Sequence, residues 1–189
     1  MAIPSRDDAE RILAAYHLPD AIVAHSRGVA AVAGEAARLL VANGVAVDPE
    51  LAAMAGLLHD IDKLVTRRTG EEHGAVAAGW LAEMGHPELS DAVAAHPVLR
   101  LLDLARAPRS WEAKVVHLAD RYVNRRFMTI DQRLDDQAER YPRFRATLER
   151  ARVPAHALEA EVAAAAGLAV PEFEALLRAA AERVLAPSR

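Results

Sequence analysis

Apolar residues recur at three- and four-residue intervals along almost the whole chain, and no stretch sustains the alternation of a half-buried strand. The interruptions are short: Asn43-Gly44, Asp48-Pro49, Gly85, Pro87, Pro97, Pro108, Pro142, Pro154, Gly167 and Pro171. Between them the spacing predicts helices over about 6–16, 20–43, 49–66, 71–84, 87–96, 110–128, 131–150, 154–166 and 171–185. Asp48 is placed to cap the helix that Pro49 opens, and Ser110 to cap the one beginning at Trp111. Ser26 is a further capping candidate. The expected fold class is all-α, a single-domain helical bundle. Residues 1–19 read as an N-terminal helical segment, 20–130 as the core, and 131–189 as a C-terminal helical extension packed on it. That extension is rich in Arg, Glu and Ala and reads as a separate layer or lid. Its run from Arg140 to Arg152 reads as a solvated surface, with cover over a site as the alternative.

Several polar residues fall on the apolar side of these helices. His25 precedes Val29 and Val32 at helical spacing. His59 and Asp60 end the apolar run Ala55-Gly56-Leu57-Leu58, beside a stripe of Leu51, Met54, Leu58, Ile61 and Val65. His73 shares a face with Val76, Ala77, Trp80, Leu81 and Met84, and His96 follows Leu89 and Val93. Asp120 lies between Val116 and Val123, with Phe127 a turn further on. A lone inward histidine is ordinarily a satisfied core residue. Four histidines and two aspartates projecting from five helices are harder to accommodate, because each buried carboxylate needs a partner. They match the mixed nitrogen and oxygen donors of a divalent metal site. Periodicity alone leaves metal ligands and core histidines both open. His17, His86, His117 and His156 fail the same test and read as structural or solvent-facing.

Composition narrows the chemistry. The chain has 189 residues, of which 52% are hydrophobic and 26% charged, which is the balance of a globular domain. Cysteine is absent, so there is no disulfide, thiolate nucleophile, zinc ribbon or iron–sulfur cluster. A net charge of −4 and 4% aromatic residues argue against a partner that is a nucleic-acid polymer. No apolar run is long enough to span a bilayer, so no membrane partner is expected. Met1 to Glu10 carries no apolar signal core, and the chain reads as cytoplasmic. Only Lys63 and Lys114 are lysines; the other basic residues are arginine, which with the abundant alanine fits a GC-rich coding bias.

In order along the chain, His25, His59-Asp60 within Leu-Leu-His-Asp-Ile-Asp-Lys, and Asp120 within His-Leu-Ala-Asp-Arg-Tyr resemble the HD superfamily of metal-dependent phosphohydrolases. His73 and His96 resemble the additional ligands of its six-ligand, two-metal branch. The likeness covers about residues 20–130 and makes that stretch an expected HD core. Lys63, three after Asp60, and Lys114-Val-Val-His-Leu-Ala-Asp are similar to the HDxxK form of the bacterial symmetrical diadenosine tetraphosphate hydrolases. The acidic pair of guanosine-tetraphosphate hydrolases, the Gly-Tyr-Pro of the cyclic-dinucleotide branch, and the Gly of the HDIG form (Asp62 here) are missing.

The resemblance implies that His25, His59, Asp60 and Asp120 hold one divalent metal, His73 and His96 a second, and that Asp60 bridges them. It implies two ions, with Fe or Mn favoured and Zn, Ni, Co or Mg compatible. These would lower the pKa of a shared water until hydroxide is available to attack phosphorus. Asp60 and Lys63 are the expected catalytic residues. Lys63, Lys114, Arg121 and Arg125 are the expected substrate contacts, with Arg126 weaker. The implied substrate is a small phosphorylated molecule: a nucleotide ester or anhydride, with dinucleoside tetraphosphates first. A homo-oligomer is compatible with the sequence. The alternatives are a non-catalytic HD domain that senses a nucleotide or metal, and a helical interaction protein whose inward histidines fill the core.

Overall fold

The computed structural model describes residues 3–185. The outer ends of the expected N-terminal segment and C-terminal extension, residues 1–2 and 186–189, lie outside that range. The described residues form helices α1 (Arg6–Ala15), α2 (Asp20–Ala42), α3 (Pro49–Leu58), α4 (Lys63–Thr69), α5 (Ala75–Glu83), α6 (Ser90–Ala95), α7 (Trp111–Tyr122), α8 (Ile130–Arg140), α9 (Arg145–Ala165) and α10 (Val170–Leu185). Short 3-10 turns at Pro87–Leu89, Val98–Leu102 and Pro142–Phe144 join some of them. There is no strand among the described residues, so the architecture is an all-helical bundle. No helix among them is long and apolar enough to cross a membrane.

Helix α2 is the spine. It packs against α3, α7 and α10, so the last helix returns to the first long one. Its inward face is built from Val29, Val32, Ala33, Ala36 and Leu40, all buried, and the small residues let neighbours come close. The α3 backbone comes close to α2 at Gly56. A Cβ there would lie 3.1 Å from the Ala30 Cα and 3.2 Å from its backbone nitrogen. Only glycine lets α3 come this near, and the approach sets His59 opposite His25.

Local chemistry explains most helix starts. Asp48 accepts from the Glu50 and Leu51 backbone N–H groups at 2.9 and 3.1 Å, with Pro49 in the first turn. The Ser110 hydroxyl accepts from Ala113 N–H at 3.1 Å. Thr129 and Gln132 form a reciprocal capping box that starts α8. Ser26 is not a cap; it lies inside α2, fully buried.

Four helix boundaries differ from expectation. The helix expected over 49–66 breaks at His59–Asp62 and resumes as α4. The one expected over 71–84 begins only at Ala75, which leaves His73 on the preceding turn. The helix expected to reach 128 stops at Tyr122, where Val123 and Phe127 pair across a tight turn. Finally, Pro142 breaks the chain between α8 and α9, whereas Pro154 sits within α9. A proline inside a helix frees the carbonyl four residues back, here that of Arg150, which is on the exposed side of α9.

Candidate metal centre

His25 and Asp120 project from the bodies of α2 and α7. The other four inward residues occupy helix ends. His59 follows α3, Asp60 lies in the break after it, His73 precedes α5, and His96 follows α6. Two of these histidines terminate their helices in the same way. His59 Nδ1–H donates to the Gly56 carbonyl at 2.8 Å, and His96 Nδ1–H to the Val93 carbonyl at 2.6 Å. Each ring thus satisfies a helix-terminal carbonyl three residues back. Because a carbonyl only accepts, each bond fixes the proton on Nδ1 and leaves the Nε2 lone pair free for a metal.

His73 is held differently. Its Nδ1–H donates to Asp62 Oδ1 at 2.7 Å. The other oxygen of Asp62 accepts from the backbone N–H groups of Gly74 at 2.7 Å and Ala77 at 3.1 Å. Gly74 has φ +83°, and a Cβ on it would lie 3.0 Å from the Val93 carbonyl and 3.2 Å from the His96 ring. Asp62 is fully buried and was not among the residues singled out from sequence. The available signal was a second carboxylate two residues after Asp60, next to the buried Ile61.

The six side chains form two groups that share Asp60. In the first, His25 Nε2 lies 3.3 Å from His59 Nε2, 3.1 Å from Asp120 Oδ1 and 3.7 Å from Asp60 Oδ2. His59 Nε2 lies 3.5 Å from the same Asp60 oxygen. In the second, His73 Nε2 lies 3.1 Å from His96 Nε2 and 3.1 Å from Asp60 Oδ1. Asp60 therefore turns one oxygen toward each group. Donors 3.1–3.9 Å apart are spaced as the edges of a polyhedron with metal–ligand bonds of about 2.0–2.2 Å. The fit to divalent ions also rests on an orphaned atom: Asp60 Oδ1 is buried with no hydrogen-bond partner.

Ionisation matches this picture. Burial pushes His59 down to about 4, against the pull of Asp60 and Asp120. Burial also holds His96 well below the usual histidine range, with His59 and His73 adding to it. Both are neutral donors at physiological pH. Burial opposes the charge on Asp60, but His59, Lys63, His73 and His25 outweigh it and keep the carboxyl well below its usual value. Asp120 is held down in the same sense, where Arg121, His25 and His59 prevail over burial. His73 also resists burial. The neighbouring Asp60 and Asp62 carboxylates raise it to about 9, so a metal there would compete with a proton.

Around this centre the cleft is basic. Lys63 pairs with Asp60, and Arg121, itself buried, pairs with Asp120. Arg133 on α8 is buried, its Nη2 3.6 Å from Asp120 Oδ1. Lys63, Arg67 and Arg133 line both parts of the cleft, with Arg125 and Arg140 in one part and Arg121 and Arg143 in the other. Seven cationic side chains thus line the cleft around the candidate ligands on a chain whose net charge is −4. Arg133 was missed from sequence, although it stands between Ile130 and Leu134 on the apolar face of α8. The run beginning at Arg140 also departs from a plain surface, since Arg140, Tyr141, Arg143 and Phe144 all line the cleft.

Lys114 is a correction. It is not in the cleft but pairs with Glu161 on α9 and lies 4.6 Å from the Trp111 ring centroid. It stands six residues before Asp120, so its side chain leaves α7 on another side. Arg126 is exposed and lies with Phe127 and Arg178 in a separate depression. His117 is buried and structural, donating from Nδ1 to the Ala95 carbonyl at 2.9 Å. His156 bonds Glu159 and Asp131 near the surface.

A family model described as the HD domain matches residues 22–125. The uncharacterized protein MJ0778 of Methanocaldococcus jannaschii is 30% identical over 131 residues, covering 64% of this chain and 75% of that protein. No solved structure matches.

Proposed function

The chain belongs to the HD-domain family, and on that footing we propose that it is a metal-dependent phosphohydrolase that cleaves a phosphoester or phosphoanhydride of a nucleotide. Dinucleoside tetraphosphates are the first choice of substrate. The observation that carries this reading is Asp60, which turns one oxygen to each of two histidine groups on the floor of a cleft lined by cations. When bound, a pair of divalent ions there would make water acidic enough to serve as a nucleophile near neutral pH and would offset phosphoryl charge.

The chain's own residues supply the rest. Asp60 and Asp120 bring the negative charge that recruits cations to a buried site. Asp62, Gly56 and Val93 aim three imidazoles through their Nδ1 protons. Lys63 lines both parts of the cleft beside Asp60, where its ammonium can meet a phosphoryl oxygen. Arg121 and Arg133 fix the Asp120 carboxylate, and their charge also favours an anionic substrate. Arg125 stands at the outer edge, able to meet a more distant phosphate.

The test is a pair of measurements on Asp60→Ala. Elemental analysis should show most metal lost from both groups, and turnover of a nucleotide panel with Mn or Fe should vanish. Full metal content in the variant counts against the site. Wild-type protein that binds metal and nucleotide without turning over any substrate is the sensor instead.

A further inference from the structure

The cleft has two unlike halves. On the His25 side is a space of about 200 Å³ bounded by Asn124, Arg125 and Arg140. On the His73 and His96 side is a larger one of about 450 Å³; Val98, Leu99 and Phe144 wall it alone, and Tyr141 stands between the two spaces. Leu99, Tyr141 and Phe144 are 42%, 40% and 39% exposed. Single exposed apolar side chains are ordinary, but three lining one concavity beside a buried charged cluster mark a ligand surface. Two cations attend the rings. Arg67 donates to the Tyr141 hydroxyl at 3.4 Å, and the Arg143 guanidinium lies 4.8 Å from the Phe144 ring centroid.

The geometry points to a base-binding wall. The nucleobase of the substrate rests against Tyr141 and Phe144 beside His96, and its phosphates run across the ligand cluster toward Arg125 beside His25. This rests on the phosphohydrolase reading and adds a substrate direction to it. A phosphoryl group held by metals and Lys63 has no use for the apolar outer wall of the 450 Å³ space. A ring with a π-face and polar edges does, because aromatic side chains stack on it and the nearby guanidinium groups meet its heteroatoms. An alkyl chain would gain contact with Leu99 and Val98 but nothing from Arg67 or Arg143. Both aromatic residues come from the turn between α8 and α9, outside the matched family region.

The probe pair is adenosine 5′-monophosphate and ribose 5-phosphate, which share a phosphate and differ by the base. Equilibrium binding to the Mn-loaded full chain should favour the nucleotide by ~10-fold or more, in line with base stacking. Phe144→Leu keeps apolar bulk and removes the π-face. It should cut that preference to about 2-fold while ribose 5-phosphate binds as before. Tyr141→Phe, which keeps the ring, should retain the preference and shows that the turn still folds. Arg125→Ala should reduce the extra affinity of adenosine 5′-diphosphate over adenosine 5′-monophosphate and leave the base preference alone. Equal binding of the two probes by wild type overturns the proposal. So does hexyl phosphate binding as tightly as the nucleotide, or an unchanged preference in Phe144→Leu. Equal probe binding alongside turnover of inorganic tetraphosphate removes the wall and leaves the hydrolase standing. Base-selective binding with no turnover of any phosphoester does the reverse.

Discussion

Asp62→Asn separates holding the fold from holding a metal ligand in the right tautomer. The change is isosteric at a fully buried position. Two backbone donors, Gly74 and Ala77, face one oxygen of Asp62, and His73 Nδ1 faces the other. The asparagine carbonyl must stay with the two backbone N–H groups, because the opposite flip would set its NH₂ against both. Its NH₂ then faces His73 Nδ1, which can only accept, and the ring proton moves to Nε2. That nitrogen is the one 3.1 Å from Asp60 Oδ1 and 3.1 Å from His96 Nε2. A protonated Nε2 cannot ligate. Losing such an outer hydrogen bond typically weakens metal binding by about 10–100-fold, or about 1.4–2.7 kcal/mol. The fold loses only the difference between charged and neutral acceptors, about 1 kcal/mol. Calorimetric titration with Mn, together with elemental stoichiometry, should show one group still binding and the His73–His96 group weakened, with a nearly unchanged melt. Native affinity at both groups refutes the tautomer reasoning. Loss of both groups with a collapsed melt shows that Asp62 serves the fold instead.

Gly74→Ala should cost about 1–3 kcal/mol, because φ is +83° and the new Cβ would crowd the Val93 carbonyl and the His96 ring. A thermal melt equal to wild type argues against that strain. His117 is pushed down to about 4 by burial, with Arg121 adding to it. Its folded pKa is below its unfolded value, so its contribution is complete above about pH 6.5 and is lost as pH falls toward 4, by about 3 kcal/mol. His117→Asn, which keeps a donor for Ala95, should therefore flatten the acid side of denaturant-measured stability, and identical pH profiles would contradict this. Lys63→Ala should reduce kcat/KM on a dinucleoside polyphosphate more than on a small phosphodiester. Equal losses assign Lys63 to the metal centre or the fold.

What the sequence reveals depends on which force places each residue. His25 and Asp120 are carried by regular helices, so spacing to Val29, Val32, Val116 and Val123 is enough to turn them inward. His59, Asp60 and His73 were legible as polar residues in apolar surroundings, but not as helix ends; His96 was expected at the end of its helix, before Pro97. The break after Leu58 has no proline or glycine to announce it. It is associated with a ring-to-carbonyl bond from His59 to Gly56, which periodicity does not register. Asp62 escaped because its role depends on a partner eleven residues away, beyond α4. The two prolines show the limit of punctuation as a signal. Pro142 ends a helix and Pro154 does not, and the chemistry of each proline is the same. Lys114 stood at a motif position, but Glu161, 47 residues away, claims its charge.

The proposed ligands are spread from His25 on α2 to Asp120 on α7, and that spacing would order metal binding during synthesis. A growing chain that has exposed α2 and α3 owns two histidines and one carboxylate of the first group, but not the fourth donor. The second group closes only once His96 has emerged and packed beside Gly74. Full occupancy therefore reports that five separate stretches of backbone have found one another. A tightly held pair of ions would act as a fastener between distant parts of the chain, most strongly on the slowest-forming contacts.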